Sequence, residues 1–123
     1  MSNHVKRFYA AVSVLAGHGN IKQRLISAFE AHLGTIEDEE IPVVLKQGFA
    51  DLRKAMSGVE PLNGEGHVRA TVRKMSVPEA DHCAGMILDL YTDLLRYHEE
   101  AQETLPLRMG DQPLVPPFLV KSG

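Results

Sequence analysis

Hydrophobic residues along the chain recur at intervals of three and four, the spacing that gathers side chains on one face of an α-helix. Val5, Phe8, Tyr9, Val12, Leu15 and Ala16 form the first stripe. Ser2 stands where it can cap this segment and Gly17 where it can end it, so a helix is predicted near residues 2–16. After Gly17-His18-Gly19, Asn20 precedes Ile21, and Gln23 follows three residues on, a spacing that lets side chains satisfy the first free amides of a helix. The stripe Ile21, Leu25, Phe29, His32 and Leu33 predicts a second helix over residues 20–33, stopped by Gly34. The linking loop is short, so these two helices should be antiparallel neighbours.

Glu37-Asp38-Glu39-Glu40 precedes Ile41-Pro42. Proline suits a first helical turn because its missing N–H is not needed there, and carboxylates favour the positive end of the helix dipole. The acidic run therefore reads as a helix entrance. Leu45, Phe49, Leu52 and Met56 continue the periodicity, predicting a third helix over residues 42–57 that Gly58 terminates. Residues 59–66 contain Pro61, Asn63-Gly64 and Gly66, and read as a loop.

The next segment supports two readings. Val68, Ala70 and Val72 alternate with Arg69, Thr71 and Arg73 as in a half-buried strand, whereas Val68, Val72 and Met75 fit a helix. A strand needs a partner for its backbone groups, and no other segment alternates convincingly, so a short helix is expected. Ser76-Val77-Pro78-Glu79 then joins a capping serine, a first-turn proline and a glutamate at the third helical position. The longest stripe follows: Ala80, Ala84, Ile87, Tyr91, Leu94, His98 and Ala101, widened by Leu88 and Leu95. A helix over residues 77–103 would be about 40 Å long, longer than its neighbours, so its end would project or pair with a second copy.

Four of the seven prolines, Pro106, Pro113, Pro116 and Pro117, fall after residue 104 and forbid a continuous helix there. Leu114, Val115, Phe118 and Leu119 make this stretch too apolar for a plain solvated tail. It either lies along its own bundle or is offered to a partner. The expected architecture is thus all-α: a mainly antiparallel bundle of four principal helices plus one short helix in residues 1–104, with an extended Pro-rich tail over 105–123.

At 123 residues, the chain has room for one core but not for two domains. The lone cysteine, Cys83, permits neither an intramolecular disulfide nor a thiolate metal cluster, and suggests a reducing, cytoplasmic setting. Lys6 and Arg7 before the apolar run to Val14-Leu15-Ala16 imitate a secretion signal, but Ser13 and the one-sided stripe favour a folded helix. No apolar stretch approaches the roughly 20 residues that span a bilayer, so no membrane partner is expected.

Candidate chemistry is sparse, and no cofactor or metal is expected. Di-iron bundles need two Glu-x-x-His pairs, and this chain has one, Glu79-Ala80-Asp81-His82. His32 and His98 lie on apolar stripes, where a hydrogen-bonded core histidine is the simpler reading. His82 and Cys83 are adjacent, and adjacent helical residues do not face each other. Cys83 reads as a small buried apolar residue. Nucleophile-elbow, P-loop and dinucleotide-binding glycine patterns are absent. No catalytic residue emerges.

The net charge of −3 is small, but it is the remainder of separated blocks. Residues 1–34 carry four basic and one acidic side chain, whereas residues 79–103 carry seven acidic and one basic. Arg69, Arg73 and Lys74, with His67, form the compact basic cluster. On a helix Arg69 and Arg73 project from one side and could clamp phosphate or carboxylate, unless carboxylates of the acidic last helix occupy them. The expected function is a small non-enzymatic adaptor or regulator. It would act through protein contacts of its long acidic helix and apolar tail, with another protein or a second copy as partner. The rival is nucleic-acid binding through Arg69, Arg73 and Lys74.

Overall fold

The computed structural model describes residues 3–62 and 64–104, with side chains through Ala101. These residues form five α-helices: α1 (Asn3–Leu15), α2 (Ile21–Ala28), α3 (Lys46–Ser57), α4 (His67–Lys74) and α5 (Val77–Thr104). No strand occurs among the described residues, so residues 67–75 resolve as the short helix expected of them. Ser2 and the apolar residues Leu114, Val115, Phe118 and Leu119 lie outside the described residues. Between Asp93 and Leu94 the chain divides into two compact units. The first holds α1–α4 and α5 as far as Asp93. In the second, the described residues are the remaining turns of α5.

Helices α1 and α2 make an antiparallel hairpin whose two ends are tied separately. At the turn, the Asn20 side chain accepts a hydrogen bond from the Gln23 amide at 2.9 Å, and Gly19 takes a left-handed φ of 99°. The Arg24 guanidinium donates to the Leu15 carbonyl and, through Nε, to the Gly19 carbonyl at 2.9 Å. A cation thereby meets the negative end of α1. At the other end, Arg7 donates to the Thr35 hydroxyl at 3.3 Å. The second helix is not α-helical to its end as its periodicity suggested. From Phe29 to Leu33 it widens into a π-helical turn, closed by the Gly34 amide on the Phe29 carbonyl at 2.7 Å.

The acidic run also departs from expectation. It closes its own 3₁₀ turn, Asp38–Glu40, with the Glu37 amide donating to the Glu40 carboxylate at 2.8 Å. Pro42 itself is non-helical (φ −54°, ψ 143°), so the helix expected from residue 42 does not start there. A second 3₁₀ turn, Val43–Leu45, follows, and α3 begins only at Lys46. Arg53 fastens this approach to α3: its guanidinium donates to the Ile36 carbonyl and pairs with Asp38 at 3.3 Å.

Packing follows from these directions. Phe8 and Phe49, both buried, meet edge to face at 5.9 Å between α1 and α3. Leu25, Leu33, Leu52, Met56, Val72 and Ile87 are also fully buried. Burying each such side chain contributes about 1.5–3 kcal/mol. Ile36 and Ile41, between the helices, are also buried, although neither lies on a helical stripe. On α5 the inward face comprises Ala80, Cys83, Ala84, Ile87 and Leu90, while Leu88, expected to widen the stripe, is 45% exposed. Ser76 and Glu79 complete a reciprocal capping box at the start of α5. The Ser76 amide donates to the Glu79 carboxylate at 2.7 Å, and the Glu79 amide to the Ser76 hydroxyl at 3.1 Å.

Candidate functional site

The basic cluster lies on α4, which runs antiparallel to α2. Arg69 near its start pairs with Glu30 at 3.2 Å, and Lys22 near the start of α2 donates to the Arg73 carbonyl at 3.1 Å. Arg73 forks onto Glu65 in the preceding loop, with Nη2 at 2.5 Å from one carboxylate oxygen and Nε at 3.3 Å from the other. That hydrogen-bonded pairing holds the Glu65 carboxyl below its ordinary range and raises Arg73. Both arginines therefore already hold carboxylates. Those carboxylates come from the π turn after α2 and from the 59–66 loop, not from the last helix as the charge blocks suggested. Lys74 is exposed beside them.

Three helix ends meet next to this segment: the C-termini of α3 and α4 and the N-terminus of α5. They leave an open groove of about 640 Å³. Ala55, Val59, Met75, Pro78 and Cys83 supply apolar walls. Lys74, Glu79 and His82 also line it. The Thr71 hydroxyl in its wall donates to the His67 carbonyl at 2.7 Å and accepts from the Val59 amide at 3.0 Å, so that polar group is already satisfied. Glu79 is likewise engaged in its cap, and the Ser76 amide holds its carboxyl below the usual range.

This groove was not foreseen from the sequence. Its walls come from separate elements, and no periodicity links Ala55 in the last turn of α3 to Val59, Met75 and Pro78. The one available signal was the clustering of helix-boundary residues, the stop Gly58 and the start pair Ser76 and Pro78, around a short helix.

Cys83 is buried at 4% exposure, as its place near the Ala80-Ala84-Ile87 face suggested. Burial, with Glu79 as a lesser cause, pushes its thiol up, opposite to what a nucleophile needs. His32 is half-buried on the π turn and His82 is exposed. Among the described residues, no group of three or more His, Cys, Asp or Glu side chains could hold a metal ion.

Elsewhere on the surface, Asp81, Asp89, Glu99 and Glu100 are exposed along α5. Tyr9, 60% exposed, packs against Tyr91 at 6.2 Å. Val43 and Val44, consecutive in the 3₁₀ turn before α3, are 81% and 73% exposed. No described helix is long and apolar enough to cross a membrane. Comparison with known proteins returned no match to any family model, curated protein or solved structure.

Proposed function

We propose that the chain acts by contact with another protein, as a small non-enzymatic adaptor or regulator. The apolar groove where α3, α4 and α5 meet would take an apolar segment of the partner. The observation that carries this reading is the groove itself: apolar walls, open to solvent, with its buried polar group already hydrogen-bonded. Such a surface favours apolar side chains over charged ligands. The acidic outer side of α5 and residues 105–123 would supply further contacts and favour a basic partner. Nucleic-acid binding is the weaker reading, because Arg69 and Arg73 would first have to leave Glu30 and Glu65.

The test is affinity capture from the native lysate with wild-type chain, an Ala55→Arg variant, and a chain lacking residues 105–123. Proteins captured by wild type and lost with Ala55→Arg are expected. A capture pattern unchanged by both alterations would remove groove and tail from the argument.

A further inference from the structure

A second cavity, apart from the groove, lies where the end of α1, the body of α2 and the start of α4 meet. It is open to solvent and has a volume of about 350 Å³. Val14 and Ile26, both half-buried, give it an apolar wall, while Arg24, Arg69, His18 and Ser27 bring hydrogen-bond donors to it. No carboxylate lines it among the described residues. His18 and Ser27 are exposed, and neither side chain hydrogen-bonds to another described residue.

The two guanidinium groups reach the cavity from different helices, each already held by part of its fork. Arg24, on α2, donates through Nε to the Gly19 carbonyl and through Nη1 to the Leu15 carbonyl, so its plane is fixed without an ion pair. Arg69, on α4, spends Nε and Nη2 on Glu30. Arg24 Nη2 and Arg69 Nη1 are left without a partner among the described residues.

The surrounding charge is positive. Glu30 offsets Arg69, and the carbonyl end of α1 offsets about half a charge of Arg24. Lys22, one turn before Ile26, donates to the Arg73 carbonyl and adds a charge that it shares with Glu79. What remains uncompensated centres on Arg24.

Donor number and volume then select the anion. A planar carboxylate is satisfied by one guanidinium fork, whereas a tetrahedral phosphoryl group has three terminal oxygens and suits donors arriving from α2, α4 and the turn between α1 and α2. The cavity also exceeds a phosphoryl group alone, which leaves room for a carbon moiety against Val14 and Ile26.

We infer that this cavity binds a small phosphate monoester, its phosphoryl group between Arg24 and Arg69 and its carbon part on Val14 and Ile26. Arg69 keeps Glu30 while it does so, and the ion pair orients the guanidinium. The second arm of the clamp is thus Arg24, not Arg73, which Glu65 occupies. A space of this size admits a single phosphate ester and not a duplex, so the site is separate both from the apolar groove and from nucleic-acid binding on the outer side of α4.

Nitrogen-15 NMR titration of the full chain with phenyl phosphate, inorganic phosphate and benzoate, at constant ionic strength, tests this. Phenyl phosphate is expected to give saturable shifts at the Nε signals of Arg24 and Arg69 and at the amides of His18 and Ser27, and to bind more tightly than either other probe. Arg69→Gln, an exposed change, should weaken it by about tenfold. Arg24→Lys should do likewise; because Arg24 also ties the hairpin, Ser27→Ala serves as the α2 variant if Arg24→Lys does not fold. Ile26→Ala should bring phenyl phosphate toward the affinity of inorganic phosphate. The inference is overturned by the absence of saturable shifts at about 10 mM phenyl phosphate, an affinity of only about 2.7 kcal/mol. Shifts centred on Arg73 and Lys74, an affinity unchanged by Arg69→Gln, or benzoate binding as tightly as phenyl phosphate would overturn it too.

Discussion

The guanidinium carbon of Arg53 sits 4.6 Å from the centroid of the Phe49 ring, one helical turn earlier on α3. The same guanidinium pairs with Asp38 and donates to the Ile36 carbonyl, so one side chain joins a core aromatic to the segment entering α3. Its Nε is buried without a hydrogen-bond partner. Arg53→Ala should destabilise the fold by about 2 kcal/mol through the lost stacking and hydrogen bonding. Arg53→Lys should recover only part of this, because lysine keeps the charge but not the planar fork. Urea denaturation of the three proteins measures both.

The capping box of α5 gives stability a pH dependence of definite sign. The Glu79 carboxyl is held below its ordinary range in the folded chain, first by the Ser76 amide. Its contribution is therefore fully present above the ordinary carboxylate range and is lost as pH falls through the lowered folded value. Thermal melts should show Glu79→Ala less stable than wild type at neutral pH, with the gap narrowing on acidification. A gap that widens on acidification would contradict the cap.

Two helical glycines should respond differently to alanine. Gly85, within α5, has open space where a Cβ would stand, so Gly85→Ala should stabilise by about 1 kcal/mol through helix propensity. A Cβ at Gly48 would meet Leu90 Cδ2 at 3.0 Å, so Gly48→Ala must push that side chain aside and should gain clearly less. Paired chemical denaturation curves compare them.

The nucleic-acid reading makes its own demand on α4. If Arg69 and Arg73 are held by Glu30 and Glu65, wild type should bind duplex DNA weakly even at low salt. The Glu30→Gln/Glu65→Gln variant should bind more tightly, with a steeper fall as salt rises. Equal binding by the two proteins would mean that the ion pairs do not restrain the arginines.

Features set by neighbouring residues were the ones legible in the sequence. Asn20 and Gln23, Ser76 and Glu79, and Gly17 and Gly58 each act over a single turn, and the helix ends they mark are where they were expected. The stripe of α3 likewise gave Phe49, Leu52 and Met56 as core residues. Apart from the 3₁₀ turns that precede α3, what escaped depends on distant parts of the chain. Glu30 is 39 residues from Arg69, and nothing local distinguishes it from the carboxylates of the last helix. Ile36 and Ile41 are buried by tertiary packing outside any stripe, and Leu88 is exposed despite fitting the pattern, because the α5 core face turns toward Cys83 and Leu90. The groove is a gap between elements, and gaps leave no periodicity.

The π turn at Phe29–Leu33 has a consequence for the spacing of the chain. A π turn holds one residue more than the α-helical turn it replaces, so this segment behaves as a helix carrying a one-residue insertion. Phe29 and Leu33 both remain in the core across it, and Ile36 follows them in. Without the extra residue, everything after it would rotate by about 100° around the helix axis. Leu33 and Ile36 would turn away from the core, and the length of this one turn thus sets which side chains of the following segment are buried.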